Sequence, residues 1–270
     1  MIRGAANGLA IVAALLVGGP PSKAVPQATV RNVEVEGTAF RVTLTDGRVL
    51  AQDELPGIRL MLGDGSGRHR QIRIDAVEPD AKDPAGEVVL YTLSEQDPGS
   101  GEWRNLCEPD PNGRRLGFPL GGTFTRGGEY VASSGRFLVT CTGGAEGKCI
   151  RFGYKPWRQG PDGASLAAYY QTCVRLVRAD YCGDGIGHTR NGTPIDLFDK
   201  IGIQHDEIAP GMTFEAAWGP DGAACVRHTR LMDVLGRALL VERCPRLAGR
   251  VGEPCDETTP ALLFNRSFER

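Results

Sequence analysis

The residues best suited to chemistry lie in one short stretch, Arg178 to Asp196, which combines carboxylates, a histidine, an asparagine and several glycines. The candidate binding residues within it are Asp180, Asp184, His188, Asn191 and Asp196. Two suitably spaced carboxyl groups are enough for the acid and base of a glycosidase. The same oxygen donors, beside glycines that let carbonyls turn inward, are ligands that calcium prefers. Catalysis, calcium binding and recognition of a ligand are therefore open alternatives.

A structural role competes with each of these alternatives. Aspartate and glycine are ordinary turn residues, because the aspartate side chain accepts backbone N–H groups and glycine adopts positive φ. We therefore favour a buried or partly buried Asp180 whose carboxylate binds N–H groups of the following loop, with Asp184 serving the turn. Loss of Asp180 should then cost about 1–3 kcal/mol. We expect His188 to be an exposed loop residue. Because the EF-hand pattern is not matched, we assign no metal and no cofactor, and calcium stays the weaker alternative.

Sequence motifs for nucleophilic or zinc-dependent hydrolysis are absent. The chain has neither G-x-S-x-G nor H-E-x-x-H. Cys182 and His188 are close in sequence, but a cysteine nucleophile requires a free thiol. We therefore assign no catalytic residue. The leading hypothesis is a non-catalytic binding or structural module, and the rival is a carboxylate-dependent hydrolase that uses Asp180 with Asp184 or Asp196 on an extracellular substrate such as a glycan.

The cysteines favour structural disulfides over zinc ligands. Their number is even, and none forms a C-x-x-C pair or has a histidine at ligand spacing. Connectivity does not follow from sequence, although Cys141–Cys149 and Cys173–Cys182 are the local pairs that we expect. All eight are assigned to disulfides: Cys107, Cys141, Cys149, Cys173, Cys182, Cys225, Cys244 and Cys255.

Residues 1–24 have the pattern of a secretory signal peptide. Arg3 supplies a positive start, a short apolar core follows, and Ser22-Lys23-Ala24 has the small-x-small pattern of a cleavage site. The apolar run is shorter than the ~20 residues that span a bilayer. We therefore expect cleavage after Ala24, no membrane insertion afterwards, and a secreted or periplasmic protein.

The charge distribution narrows the class of partner. The formal net charge is −2 and no basic stripe is present, so the electrostatic pattern of a nucleic-acid binder is missing. The partner that we expect is a glycan, a peptide or a protein.

The chain preceding the candidate site divides by composition near residue 103. Between residues 28 and 103, apolar residues alternate with polar ones in five or six short runs, which is the period of half-buried strands. Asp46-Gly47 predicts a hairpin turn, because such turns need positive φ. This part is therefore predicted to be a small β-rich module, a sandwich or a barrel.

Residues 104–270 differ in composition: they are rich in glycine and proline, their apolar runs are short, and they contain every cysteine. Four runs read as strands: Phe137 to Cys141, Ile150 to Tyr154, Met212 to Trp218 and Ala238 to Val241. A helical period extends from Leu166 to Val177, with Ser165 as a candidate N-cap and Gly183 and Gly185 as its stop. The predicted fold class is α+β, mainly β, in which a small β-rich N-terminal module precedes a disulfide-rich domain with one short helix.

The centre of this second part resembles a known family. Ala179-Asp180-Tyr181-Cys182 is similar to the signature of the bacterial ADYC-domain family. The flanks also fit: Lys148-Cys149-Ile150-Arg151-Phe152-Gly153-Tyr154-Lys155-Pro156-Trp157, Gly192-Thr193-Pro194-Ile195-Asp196, Gly202-Ile203-Gln204 and Phe214-Glu215-Ala216-Ala217-Trp218. The resemblance covers about residues 106–225 and implies an exported protein whose domain has no assigned activity.

Overall fold

The computed structural model describes residues 29–63, 69–110, 112–133, 135–252 and 254–269. The expected signal peptide, residues 1–24, and its cleavage site lie outside them. The described residues form fourteen strands and three α-helices, so the prediction of an α+β, mainly β protein is confirmed. Among these residues, none of the helices has the length and apolar character needed to cross a membrane.

The N-terminal part contributes six strands, and the first five lie where the alternation predicts them. They are β1 (Val30–Glu36), β2 (Ala39–Leu44), β3 (Arg59–Gly63), β4 (His69–Pro79), β5 (Val89–Gln96) and β6 (Trp103–Asn105). The alternate residues Phe40, Val42 and Leu44 of β2 are buried, as the period of two requires. The turn at Asp46-Gly47 is also confirmed, because Gly47 has a φ of +89° and its N–H binds the carbonyl of Leu44 at 3.0 Å.

The C-terminal part contributes eight strands and the helices. They are β7 (Gly117–Gly121), β8 (Thr123–Phe124), β9 (Tyr130–Val131), β10 (Phe137–Cys141), α1 (Ala145–Arg151), α2 (Ala167–Arg178), β11 (Asp196–Asp199), β12 (Thr213–Gly219), β13 (Gly222–Val226), α3 (Arg237–Arg243) and β14 (Leu263–Ser267). Two strand predictions are wrong: Ile150–Tyr154 begins inside α1, and Ala238–Val241 lies inside α3. A short apolar run has too few residues to separate a buried strand from a buried helix segment.

The strands pair antiparallel in four sheets. The largest has the order β10-β7-β5-β4-β3, with β6 also paired to β5, and the next has the order β11-β14-β12-β13. β1 with β2 and β8 with β9 form two-stranded sheets. The change of composition near residue 103 does not interrupt the largest sheet, because β7 and β10 join strands that precede that position. One buried hydrophobic cluster also extends from Phe40 to Leu263.

All eight cysteines are paired, as predicted, but both expected local pairs are wrong. The bridges are Cys107–Cys141, Cys149–Cys173, Cys182–Cys244 and Cys225–Cys255, with Cα–Cα distances between 5.2 and 5.8 Å. These distances are typical of disulfides. Cys173 lies inside α2 and meets Cys149 of α1, whereas Cys182 follows the end of α2 and meets the residue after α3. The pairing therefore follows tertiary contacts, which are not local in sequence.

Candidate functional site

The Ala179-Asp180-Tyr181-Cys182 motif directly follows helix α2, and the chain changes direction sharply at its first residue. Ala179 adopts the left-handed conformation, with φ 52° and ψ 42°, and the N–H groups of Ala179 and Asp180 bind carbonyls of the last helical turn at 2.9 Å. We expected Gly183 and Gly185 to stop the helix; it ends before them, at a residue that has a Cβ. The left-handed conformation costs a non-glycine residue about 1–2 kcal/mol, so the surrounding contacts must offset this strain.

The next residue, Asp180, is fully buried and binds the loop that follows the turn. Its Oδ1 accepts the N–H of Gly183 at 2.9 Å and that of Asp184 at 3.1 Å. Its Oδ2 accepts the N–H of Gly185 at 2.9 Å and a hydrogen bond from Nη1 of Arg175. The prediction that a buried Asp180 carboxylate binds the loop backbone is confirmed. A charged partner, Arg175, was not predicted.

Tyr181 connects the motif to the smaller sheet through a buried polar network. Its hydroxyl donates to Oε1 of Glu215 and accepts the backbone N–H of Arg230, both at 2.8 Å. Arg230 is itself buried, and its Nε donates to Oε2 of Glu215 at 3.0 Å. The ring of Tyr181 stacks on Trp218 with centroids 5.1 Å apart.

Charge pairing keeps this network ionised. Burial opposes ionisation of Glu215, but the charge and hydrogen bonds of Arg230 hold the pKa of Glu215 below its ordinary value. Burial, and then the Glu215 charge, raise the pKa of Tyr181 well above its ordinary value. Tyr181 is therefore a neutral donor to a carboxylate inside the core.

Cys182 completes the motif by joining it covalently to Cys244 after α3. Arg246 reinforces that attachment, because its Nη2 donates to the carbonyl of Tyr181 at 2.6 Å and its Nε to that of Cys182 at 3.2 Å. Each residue of the motif thus has a structural role: a left-handed turn, a backbone-binding carboxylate, a core phenol and a disulfide.

The five candidate residues do not form one exposed face. Asp184 and Asn191 are exposed, and Asp184 caps its own turn by accepting the N–H of Ile186 at 2.9 Å. His188, expected to be exposed, is buried: its Nδ1 lies 3.2 Å from the carbonyl of Ala179. The expectation for His188 is wrong because the glycine-rich loop folds back under the end of α2.

Asp196 is buried and has an unusual electrostatic environment. Its two oxygens accept long hydrogen bonds from the N–H of Glu207 at 3.4 Å and of Ala209 at 3.5 Å, and the Asp206 carboxyl group lies within hydrogen-bonding reach. Burial and then the neighbouring charge of Asp206 raise the pKa of Asp196, whereas hydrogen bonds from Arg266 lower the pKa of Asp206. Asp196 therefore resists ionisation, in contrast to Glu215, whose pKa is lowered.

A second backbone-binding aspartate was not singled out from the sequence. Asp199 accepts the N–H groups of Ile201, Gly202, Ile203 and Gln204 at 2.7–3.2 Å, and the hydroxyl of Tyr154 at 2.7 Å. The signal that could have identified it is spacing. Asp180 and Asp199 each lie three residues before a glycine with positive φ, Gly183 at +74° and Gly202 at +82°.

A cleft of about 480 Å³ opens beside the motif, between the β8–β9 hairpin, one face of α2 and the turn that joins β12 to β13. We call it the ADYC cleft. Its lining residues are Thr125, Gly127, Glu129, Tyr130, Ala132, Ala167, Ala168, Gln171, Arg175, Gly183, Pro220 and Asp221.

Two side chains of α2 hold both walls of the ADYC cleft. Gln171 accepts the N–H of Tyr130 at 2.6 Å and donates to the carbonyl of Gly128 at 2.9 Å, which fixes the hairpin. Arg175 donates from Nη1 to the carbonyl of Gly127 at 2.6 Å and from Nε to that of Pro220 at 3.2 Å. The guanidinium that binds Asp180 therefore also sets the width of the cleft.

Gly183 permits the close contact between the motif and the β12–β13 turn. A Cβ at this position would lie 2.0 Å from the carbonyl oxygen of Asp221, a backbone atom that cannot move aside cheaply. With its φ of +74°, this position requires glycine on both grounds.

The described residues contain no group of three or more histidine, cysteine, aspartate or glutamate side chains placed to hold a metal ion. The arrangement of Asp180 disfavours calcium binding, because both carboxylate oxygens of Asp180 already accept hydrogen bonds from the protein. Calcium ligation there would require the loop to release that carboxylate.

A comparison with protein families identifies the family of the chain. The family model described as the ADYC domain matches residues 52–232, about two-thirds of the chain, and the chain belongs to this family. The match begins earlier than the 106–225 that we expected, and it includes β3 to β6 of the larger sheet. No curated protein and no solved structure shows a significant match to the chain.

Proposed function

We propose that this protein is a non-catalytic binding module of the cell envelope or the extracellular space, and that its ligand occupies the ADYC cleft. Four disulfides support an oxidising location, since such bonds persist outside the cytosol. The signal-like residues 1–24 support export independently.

The observation that carries the proposal is the position of Arg175. This buried residue binds Asp180 of the family motif and the carbonyl oxygens of both cleft walls. The motif therefore preorganises the cleft, and preorganisation raises affinity because less ordering is needed on binding. A concave surface built on a rigid, disulfide-linked frame is suited to recognition.

One observation favours the rival, a carboxylate-dependent hydrolase. The pKa of Asp196 is raised and that of its neighbour Asp206 is lowered. In a pair of catalytic carboxyl groups, such opposite shifts keep one group protonated as the general acid and the other ionised. Neither residue lines the ADYC cleft, however, and Arg266 donates to Asp206 from Nε and Nη2 at 2.7–3.0 Å. Asp180 is occupied by backbone N–H groups. These contacts support binding over catalysis.

A substitution that fills the cleft tests the proposal. Ala168 is exposed and lines the cleft, whereas Ala164 is exposed and lies outside it. The mature protein, Ala168→Trp and Ala164→Trp would be applied to glycan and peptide arrays and assayed with glycoside and ester substrates. We expect binding that Ala168→Trp abolishes and Ala164→Trp retains. Turnover that disappears in Asp184→Asn or Asp196→Asn would overturn the non-catalytic assignment.

A further inference from the structure

A lysine that the proposed function does not use is buried between two carboxylates. The side chain of Lys155, which follows α1, is 8% exposed. Its Nζ donates to the two oxygens of Asp83 at 2.9 and 3.0 Å and to Oε2 of Glu87 at 2.9 Å. Lysine is rarely buried unless it is paired. The side chain of Asp83 is also 8% exposed, so the amine and the carboxyl group meet where little water reaches them.

The charges of this cluster balance when Arg158 is included. Arg158 donates from Nη2 to Oε1 of Glu87, so each of the two carboxylates has a cationic partner. Burial alone would raise the pKa of Asp83, but hydrogen bonds from Lys155 and from backbone N–H groups lower it, so Lys155 and Asp83 form an ion pair. Loss of the charges of Lys155 and Asp83 together would leave Glu87 paired with Arg158.

The Asp83 carboxyl group has the surroundings of an acyl-transfer site. Its Oδ2 accepts the backbone N–H groups of Glu87 and Val88, both at 2.8 Å. Two N–H donors at this distance are the arrangement that stabilises the negative oxygen of a tetrahedral intermediate. Oε2 of Glu87 lies 2.9 Å from the amine nitrogen, within reach of a proton that the amine releases. A nucleophile, two oxyanion donors and a proton acceptor therefore surround one carboxyl carbon.

We propose that Lys155 and Asp83 condense to an intramolecular amide, with Glu87 as the catalytic residue. Lys155 first passes a proton to Oδ1 of Asp83, which gives a neutral amine beside a neutral acid. The amine nitrogen then bonds to Cγ of Asp83, and the negative charge develops on Oδ2. Glu87 takes a proton from that nitrogen and returns it to Oδ1. The Cγ–Oδ1 bond breaks, water leaves, the double bond to Oδ2 is restored and Glu87 is regenerated.

The fold favours this condensation over the same reaction in free solution. Groups held in a productive orientation react with effective concentrations of about 10⁵–10⁸ M. Condensation also removes two charges from a site where their burial is costly. The reaction needs no oxidant and no co-reactant, because all of its atoms come from the two side chains.

The bond would join two parts of the chain that no disulfide connects. Asp83 lies between β4 and β5, and Lys155 is 72 positions further along the chain. The first cysteine is Cys107, so no disulfide reaches β1 to β6. Arg151 of α1 binds Asp80 of the same loop, with Nη2 3.1 Å from Oδ1, and holds the loop in place. The inference is independent of the proposed function, since a crosslink that restricts the unfolded chain stabilises the protein whatever its ligand.

The test is the mass of the full mature protein, purified with its disulfides formed and then reduced. We expect an intact mass lower by one water than the mass calculated from the N-terminal sequence, and a branched proteolytic peptide that contains Asp83 and Lys155. Lys155→Arg and Asp83→Ala should have the full calculated mass. Lys82→Arg is the matched control, because it removes an exposed lysine of the same loop and should keep the loss of water.

Glu87→Gln separates catalysis from ion pairing, because the amide keeps hydrogen-bonding groups but does not accept the proton. Mass spectra of freshly translated protein should show the bond forming at least about 100-fold more slowly, since general acid–base catalysis contributes about 10²–10⁴-fold. Bond formation at the parental rate would contradict the catalytic role of Glu87.

A parent protein with the full calculated mass would overturn the proposal, whether or not the variants fold. A loss of water that persists in Lys155→Arg or in Asp83→Ala would place the bond elsewhere and would overturn it as well. Neither result changes the expected binding in the ADYC cleft, so this test and that of the proposed function fail separately.

Discussion

Tyr181 and Glu215 are 34 positions apart in sequence and are joined by a 2.8 Å hydrogen bond in a region where both are fully buried. The bond links the end of α2 to the centre of β12. Arg230 closes the network, because its N–H donates to the Tyr181 hydroxyl while its guanidinium binds Glu215 and the carbonyls of Leu176 and Val177. The conformation of the family motif therefore depends on a charge pair inside the core.

Tyr181→Phe should destabilise the protein by about 1–3 kcal/mol, because it leaves one lone pair of Glu215 and the N–H of Arg230 without a partner. Stability would be measured by urea unfolding monitored by circular dichroism. Tyr169→Phe is the control, since no described residue bonds to the Tyr169 hydroxyl, and we expect it to change stability by about 0.5 kcal/mol or less. Equal effects of the two substitutions would show that the hydroxyl of Tyr181 contributes nothing specific.

Asp180→Ala should cost about 3–5 kcal/mol, more than the sequence alone led us to expect. The larger cost follows from Arg175, which would remain charged and buried after its partner is removed. The N–H groups of Gly183, Asp184 and Gly185 would also lose their acceptor. Thermal and urea unfolding measure the change.

The matched control for that substitution is Asp184→Ala, at an exposed carboxylate in the same loop. We expect it to stay within about 0.5 kcal/mol of the parent. A stable Asp180→Ala protein would mean that the left-handed turn at Ala179 forms without this carboxylate.

The sequence predicted those parts of the structure that follow from local pattern. Alternation placed β1 to β5, a period of 3.6 placed α2, and aspartate beside glycine predicted the role of Asp180. The errors arise where tertiary contacts decide. His188 is buried because a loop folds back on Ala179, and the helix at Ala238–Val241 was read as a strand because four apolar residues carry no clear period.

The disulfides and the cleft could not be predicted for a related reason. Cys182 and Cys244 are 62 positions apart, and only the tertiary fold brings the residue after α3 to the end of the Ala179–Cys182 motif. The β8–β9 hairpin and the β12–β13 turn face one cleft, and Arg175 binds a carbonyl of each. Neither spacing nor composition contains that distance information, so the candidate site shifted from the loop carboxylates to the neighbouring cleft.

Acid should destabilise the protein through its paired carboxylates. The pKa of Glu215 is lowered beside Arg230. Burial alone would raise the pKa of Asp80, but the hydrogen bond and charge of Arg151 help to lower it below its ordinary value. A folded-state pKa below the unfolded value gives stability that is fully present above the unfolded pKa, about 4, and is lost as pH falls through the folded value.

The melting temperature should therefore change little between about pH 7 and pH 5 and fall steeply below about pH 4. Differential scanning calorimetry across this range measures the profile. Asp80→Asn removes one of the titrating groups and should make the acid loss shallower. A steep loss above pH 5 would require a different titrating group.

Asp196→Asn should stabilise the protein at neutral pH, in contrast to substitutions at the other buried carboxylates. Burial and the charge of Asp206 raise the folded-state pKa of Asp196, so its contribution to stability is present at low pH and is lost as pH rises through that value. An asparagine has no charge to bury, and its amide can donate toward Asp206. The melting temperature of Asp196→Asn should exceed that of the parent at about pH 7, and the difference should disappear near pH 3, where Asp196 is protonated in both states. Asp206→Asn is the opposing control: it removes the charge of one of the two carboxylates that Arg266 binds, the other being Glu257, and should lower the melting temperature at neutral pH. If Asp196→Asn is destabilising at neutral pH, its carboxylate is ionised in a favourable contact, and the raised pKa inferred from its burial is wrong.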